Sequence, residues 1–115
     1  MKEIANIIKM NKLNKISIKF SKDISKHFGQ FVWQSSIVRS NLSDKFLISI
    51  CLCTKKIEIR DAIIRYMQIV YNLDNAIVEL DEDNFYCIKY VSLTEEDILK
   101  FDVYYRMTMG NNGEL

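Results

Sequence analysis

The segment 57–73, IEIRDAIIRYMQIVYNL, constrains the fold most, because it reads as a helix that is apolar around most of its circumference. On a helical wheel of about 100° per residue, the apolar arc covers roughly 220°. The polar residues share one narrow strip: Glu58, Asp61, Arg65, Gln68 and Asn72. Packing against a core on one side needs an arc of only about 100° or more. The segment therefore predicts a helix with an apolar surplus that something must cover.

The apolar arc divides into two halves of different composition. One half has only residues typical of packing, and we expect it to face a sheet: Ile59, Ala62, Tyr66, Ile69 and Leu73. The other half mixes Met, Tyr and Arg with aliphatic residues, as protein interfaces do. It forms the predicted dimer interface: Arg60, Ile63, Ile64, Met67 and Tyr71. The open alternative is that another helix of the same chain covers this half.

The rest of the chain alternates between helix and strand patterns. Residues 2–12 predict a short helix, and the alternation in KISIKFS, 15–21, predicts a strand. Residues 30–40 form the next predicted strand. The run KFLISICLCT, 45–54, is apolar on both faces and predicts a strand in the centre of the sheet.

After the helix at 57–73, residues 76–91 read as a hairpin around 81–84. Ser92 with Glu95 and Thr94 with Asp97 give capping patterns for a last helix that ends near Gly110. The predicted order is α-β-β-β-α-β-β-α. This order predicts an α+β domain in which helices pack on an antiparallel sheet.

Composition limits the classes of protein that fit. The chain of 115 residues has 49 % apolar and 27 % charged residues, no proline and three glycines, so we expect a single domain, 1–115, without a linker. Apolar runs fall short of the ~20 residues that span a bilayer. The N-terminus lacks the apolar core of a signal peptide. We expect a cytoplasmic protein with no membrane partner.

No residue pattern predicts catalysis, a cofactor or a metal site. His27 is the one histidine, and the acidic runs at 81–83 and 95–97 read more simply as a turn and a helix start. The three cysteines, Cys51, Cys53 and Cys87, predict buried free thiols. We expect no enzyme activity, no cofactor and no bound metal.

Charge is uneven along the chain. Residues 1–26 carry +5 and the remainder carries −4, although the total is only +1. A lysine-rich arm can meet nucleic acid, but no arginine cluster or glycine-aromatic pattern accompanies these lysines, so we do not expect a nucleic-acid partner. The spacing fits solvated faces of a helix and a strand. Separately, Phe31, Trp33 and Ile37 on the predicted strand 30–40 are either ordinary core or an exposed groove for a peptide.

From Phe46 onward the chain resembles the class I type III secretion chaperones, the Tir-chaperone-like family. The resemblance rests on the strand FLISICLCT, the helix IRDAIIRYMQIVYNL, the hairpin AIVELDEDNFYCIKYV, and the start SLTEED of the closing helix ILKFDVYYRMTM. It implies a bacterial cytoplasmic virulence chaperone, not an ATPase, that keeps the N-terminal region of a secreted effector or gatekeeper protein export-competent. It also implies a homodimer, or a heterodimer with a second chaperone, through the helix 57–73.

The resemblance further implies apolar partner-binding patches on the first helix and on the strands. By position these patches fall on Ile8, Ile18, Phe20, Phe31, Trp33 and Ile37. The alternative function is a small immunity or phage-encoded inhibitor protein, which acts by occluding an enzyme. Such chains are also small, poor in proline and without catalytic residues.

Overall fold

The computed structural model describes residues 2–110, which form four helices and one antiparallel sheet. The elements are α1 (Lys2–Phe28), β1 (Val32–Arg39), β2 (Phe46–Leu52), α2 (Ile57–Tyr71), β3 (Ile77–Leu80), β4 (Tyr86–Leu93), α3 (Glu95–Leu99) and α4 (Phe101–Met109). The strands lie in the order β1-β2-β4-β3. The predicted α+β class is confirmed, with the observed order α-β-β-α-β-β-α-α.

The strand predicted at 15–21 is wrong, because these residues continue α1 from Lys2 to Phe28. Ile16, Ile18 and Phe20 alternate as in a strand, but Ile16 and Phe20 are also one helical turn apart. Both are buried, together with Ile24 one turn later, whereas Ile18 is exposed. The helical period therefore decides which side chains are buried. No glycine or proline interrupts the helix before position 29.

Gly29 follows the end of α1 at a point of close backbone approach. A Cβ atom there would lie 2.4 Å from the carbonyl oxygen of Ser25. Two residues later the Phe31 N–H donates to the Phe28 carbonyl oxygen at 2.8 Å, which turns the chain into β1. Glycine therefore permits the tight exit from the helix.

The sheet has one face that joins the core and one face that does not. Alternate residues of β2 are buried, and they meet Ile88 and Tyr90 of the neighbouring β4. The intervening residues of β2 and β4 are half-buried or, at Val91, exposed; they include Cys51 and Cys87, which lie opposite each other. The cysteines are free, as predicted, but none of the three is fully buried: Cys51 and Cys87 are half-buried and Cys53 is exposed. The central position predicted for the strand 45–54 is confirmed.

Two asparagine residues with a positive φ angle shape the next part of the chain: one ends α2, and the other lies in the turn between β3 and β4. α2 ends at Asn72 in the left-handed region, with φ of 56°, and the next N–H, of Leu73, donates to Met67 at 3.2 Å. The Asn72 N–H donates to the same Met67 carbonyl oxygen, so this oxygen accepts both N–H groups that follow the helix. The predicted hairpin is present as β3 and β4, and Asn84, with φ of 64°, completes its turn.

The closing helical segment is divided in two. Thr94 caps α3 and forms a capping box with Asp97, as one of the two predicted pairs requires. Ser92 instead lies in β4. At Lys100 the chain passes from α3 into α4, so the single predicted helix is two shorter ones. No helix in the described range 2–110 is long and apolar enough to cross a membrane.

Candidate protein-binding surface

The N-terminal part of α1 extends beyond the packed body of the molecule. Every side chain from residue 3 to residue 12 is exposed, whereas packing begins at Leu13 and becomes complete at Ile16. The exposed part contains Ile4, Ile7 and Ile8, which expose 57–63 % of their surface. A soluble fold usually leaves such side chains singly exposed, so a group on one helix indicates a binding surface.

These isoleucines lie on the side of α1 that faces away from the core. At about 100° per residue, Ile4, Ile7, Ile8 and Ile18 fall roughly opposite the buried stripe. The stripe consists of Ile16, Phe20 and Ile24. We call the first set the α1 apolar face. α1 is therefore apolar on two opposite sides, and the fold covers one of them.

A cleft lies between α1 and the end of β1, and residues of β2 and α3 complete its lining. Its volume is about 170 Å³, and its lining combines apolar side chains with Asn14, Ser17 and Arg39. The apolar lining residues are Met10, Leu13, Ile37, Phe46 and Ile98. The Arg39 guanidinium lies 5.9 Å from the centre of the Phe46 ring, which leaves a cation at the rim. Met10 is 58 % exposed and joins the cleft to the first turns of α1.

Two serines of α1 donate hydrogen bonds to carbonyl groups on the outer edge of β1. The Ser21 hydroxyl donates to the Ser35 carbonyl oxygen at 2.7 Å, and the Ser17 hydroxyl donates to the Ile37 carbonyl oxygen at 3.4 Å. Edge strands expose such carbonyl groups to pairing with other chains. α1 therefore covers this edge and at the same time forms one wall of the cleft.

The structure separates the six predicted partner-binding residues. Ile8, Ile18 and Trp33 are exposed, and Phe31 and Ile37 are half-buried. Phe20 is wrong as a binding residue, because it is 1 % exposed and its ring packs edge-on against Tyr71 at 5.3 Å.

Of these six residues, Ile37 lines the cleft, and Ile8 and Ile18 belong to the α1 apolar face. Trp33 lies four residues away at the other end of β1, roughly 13 Å along the strand. Trp33 also lies where β1 shifts its register against β2, and the groove of Phe31, Trp33 and Ile37 stays a prediction.

The half of α2 that was predicted as a dimer interface is the more deeply buried of the two. Ile63 and Met67 are 0 % exposed and Tyr71 is 2 % exposed, so these residues of the predicted dimer interface lie in the core of one chain. Ile64 is half-buried. Arg60 lies 5.0 Å from the centre of the Tyr86 ring and pairs with Asp61 at 2.9 Å.

The half of α2 assigned to the sheet is the more open one. Ala62 is exposed, and Ile69 exposes 55 % of its surface. Other elements of the same chain therefore cover the predicted dimer interface, which is the alternative that the sequence left open. The wheel identified the surplus correctly but assigned the wrong half to the core.

A buried carboxylate that the sequence reasoning missed lies between α1 and α2. Asp23 is 0 % exposed. The Tyr66 hydroxyl donates to its two oxygens at 2.8 and 2.7 Å, and the Tyr71 hydroxyl donates at 2.5 Å. His27 Nδ1 lies 3.0 Å from the carboxylate and also 3.0 Å from the Asp23 backbone oxygen. We call this group the Asp23 cluster.

The Asp23 cluster holds α1 against α2. Burial raises the pKa of Tyr71, and its hydrogen bond to Asp23 raises the pKa further. The pKa of Tyr66 is raised by the same two causes in the same order. The phenols therefore stay protonated and donate, so the carboxylate is satisfied rather than poised for chemistry. One pattern in the sequence could have predicted the cluster: Asp23 lies among lysines and on the same side of α1 as the apolar Phe20 and Ile24.

Neither metal-ligating side chains nor known relatives add evidence about the function of this surface. Between residues 2 and 110, no group of three or more His, Cys, Asp or Glu side chains could hold a metal ion. Comparison of the chain with family models, with curated proteins and with solved structures found no match.

Proposed function

We propose that the chain is a cytoplasmic protein-binding module of the type III secretion chaperone kind, which holds the N-terminal region of a secreted effector or gatekeeper protein before export. One observation carries the proposal: the α1 apolar face and the adjoining cleft present apolar surface that the chain itself leaves uncovered. The proposal assigns the chain no catalytic step, no cofactor and no metal.

The shape of the surface suits a partner segment with apolar anchors. A cavity of about 150 Å³ holds a benzene ring, so a cleft of about 170 Å³ can take one aliphatic or aromatic side chain. The Arg39 cation at the rim can pair with a carboxylate beside that anchor. Complete burial of an isoleucine contributes about 1.5–3 kcal/mol. The exposed isoleucines therefore supply roughly 1 kcal/mol or more each.

The order of elements supports the same proposal. The resemblance rested on a strand, a helix, a hairpin and a closing helix, and β2, α2, β3, β4, α3 and α4 follow in that order. The long α1 extends the set of helices that can hold a partner.

We propose that pairing with a second copy or a second chaperone uses the open side of α2. Ile69 on α2 lies next to α4, since the Thr108 hydroxyl donates to the Ile69 carbonyl oxygen at 3.1 Å. Val103 and Met107 of α4 are also exposed. Met107→Glu should then convert a dimer to a monomer without loss of stability, measured by light scattering and thermal unfolding. Met67→Glu should unfold the chain, because Met67 is 0 % exposed.

Site-specific crosslinking in the bacterium tests the binding surface. A photoreactive amino acid replaces Ile7 on the α1 apolar face, and, as a control, Ile57, an exposed isoleucine at the start of α2. Mass spectrometry identifies the captured segment. We expect the N-terminal region of a secreted protein at position 7 and none at position 57.

A synthetic peptide of the captured segment then measures affinity by calorimetry. Ile8→Glu should weaken binding by about tenfold or more, because burial of one such side chain contributes about 1.5 kcal/mol. Ile57→Glu is the matched control and should leave the affinity unchanged. Equal affinity of both variants and the wild type contradicts the proposed surface. Capture of an enzyme that the chain inhibits supports the immunity or inhibitor alternative instead.

A further inference from the structure

The two edges of the sheet differ in how they are covered. α1 seals the edge at β1 through Ser17 and Ser21, as described above. β3 forms the opposite edge and pairs with β4 on one side. All four of its residues are exposed, including Ile77, Val78 and Leu80. An open apolar edge strand is a template for pairing with another chain.

The hydrogen-bond pattern identifies the free backbone groups of β3. The Asp81 N–H donates to the Phe85 carbonyl oxygen at 2.9 Å, so this pair closes the hairpin with a hydrogen bond. Bonded and non-bonded pairs alternate along antiparallel strands. Glu79 and Ile77 therefore bond to β4, whereas the N–H and C=O groups of Val78 and Leu80 point outward.

Acidic residues flank this edge at both ends. Residues 72–88 contain five acidic residues and no Lys, Arg or His: Asp74, Glu79, Asp81, Glu82 and Asp83. Lys89 pairs with Glu79 at 2.7 Å. In the described part of the chain, the other four carboxylates have no cation within 4.0 Å. The nearby Lys55 lies over the Phe85 ring, at 5.5 Å from its centre.

We propose that β3 binds an extended segment of another protein that is apolar in its centre and carries Lys or Arg at its ends. The segment adds to the sheet as a further strand, bonded to the outward groups of Val78 and Leu80. Its basic ends meet Asp74 on one side and the acidic turn 81–83 on the other. This inference does not depend on the proposed function, because β3 and α1 lie at opposite edges of the sheet.

A second copy of the chain fits this edge less well than a basic segment. Antiparallel pairing of two β3 strands about Val78 places Asp74 of one copy opposite Glu82 of the other. Symmetry repeats this pair at the other end. Like charges directly opposite each other destabilise a pair of strands. The charge pattern therefore favours an occupant of opposite charge.

Blocked synthetic peptides of alternating valine and threonine provide the probe. One peptide has a lysine at each end, and a second has glutamate at each end. A third keeps the lysines but carries N-methyl groups on two adjacent central amides. Adjacent N–H groups of an extended peptide point to opposite sides, so the peptide loses one hydrogen-bond donor on each edge. Fluorescence anisotropy measures binding to the wild-type chain at two salt concentrations, and amide NMR shifts locate it.

Three variants of the chain separate backbone pairing from charge. Val78→Pro removes an outward N–H while the β4-facing groups of Ile77 and Glu79 stay intact. Val78→Thr is its matched control and keeps the N–H. Glu82→Lys changes the charge of the turn without touching the strand.

We expect the lysine peptide to bind, with shifts centred on residues 77–81 and weaker binding at higher salt. N-methylation, Val78→Pro and the glutamate ends should each weaken binding by about tenfold or more. The wild-type measurement with the N-methylated peptide stands even if Val78→Pro fails to fold. Absence of binding at about 1 mM peptide, equal binding of the glutamate peptide, or a native dimer joined through β3 overturns the proposal.

Discussion

Replacement of tyrosine by phenylalanine should lower the stability of this chain at position 71 but not at position 90. The two side chains are equally buried, each 2 % exposed. The Tyr71 hydroxyl donates to the carboxylate of Asp23. The Tyr90 hydroxyl oxygen is buried without a hydrogen-bond partner among the described residues. The same chemical change therefore removes a bond at one position and an unsatisfied polar group at the other.

The expected loss for Tyr71→Phe follows from the charge of its acceptor. A hydrogen bond to a charged group contributes about 1.5–3 kcal/mol to stability. Asp23 keeps the Tyr66 hydroxyl and His27 as partners, so its charge is not left without donors. We therefore expect the free energy of unfolding to fall by about 2 kcal/mol. In a domain of this size, that corresponds to a decrease in Tm of about 8 °C.

The expected gain for Tyr90→Phe follows from the cost of a buried polar group without a partner. Protein mutational data place this cost at about 1–3 kcal/mol. Loss of the hydroxyl leaves a small void, which offsets part of the gain. We therefore expect the free energy of unfolding to stay unchanged or to rise by about 1 kcal/mol.

Urea unfolding at neutral pH, followed by circular dichroism, measures both variants against the wild type. A double-mutant cycle with Asp23→Asn isolates the bond of Tyr71 from other effects of the substitution. Tyr90→Phe should show no coupling to Asp23→Asn. If both phenylalanine variants lose the same stability, or if Tyr71 shows no coupling to Asp23, the reasoning about the Asp23 cluster is refuted.

Three further predictions concern pH, the exit from α1 and the paired cysteines. Because burial raises the folded-state pKa of Tyr71 and Tyr90 above the unfolded value, stability is fully present below about pH 10 and falls above it, by about 1.4 kcal/mol per pH unit for each group. Urea unfolding from pH 9 to 11 measures this fall, and a flat profile contradicts it. Gly29→Ala should lower the free energy of unfolding by about 1–3 kcal/mol, since its Cβ would lie 2.4 Å from a carbonyl oxygen; an unchanged Tm contradicts the close approach. With oxidised glutathione, Cys51 and Cys87, which lie opposite each other, should form a disulfide, whereas Cys53 should not pair with either. Burial raises the pKa of Cys87 to about 11, so peptide mapping should show a reaction that speeds up with pH; a map without this pair contradicts the register.

Much of the fold followed from local patterns. Apolar runs and alternation identified β2 as a central strand, and the capping pair of Thr94 and Asp97 marked the start of α3. The alternation at 15–21 led to a wrong strand prediction, because apolar residues at positions 16 and 20 fit both the helical and the strand period. Burial in the fold resolves such an ambiguity, since it selects one period.

The candidate site was harder to predict than the fold. Ile8 and Ile18 were expected at a binding surface, and they are exposed, but Phe20, two residues after Ile18, packs in the core. The cleft joins α1 to residues of β1, β2 and α3 that lie far apart in sequence. No local pattern reports such a meeting of elements.

By itself the sequence determined the α+β class, the central position of β2 and the apolar surplus of α2, because each depends on periodicity within one segment. Only the tertiary structure decided which half of α2 enters the core and which edge of the sheet stays open. It also decided that Asp23 is buried beside two phenols. The physical reason is that burial and pairing are relations between distant segments, and an amphipathic segment specifies how much surface it must bury but not which neighbour covers it.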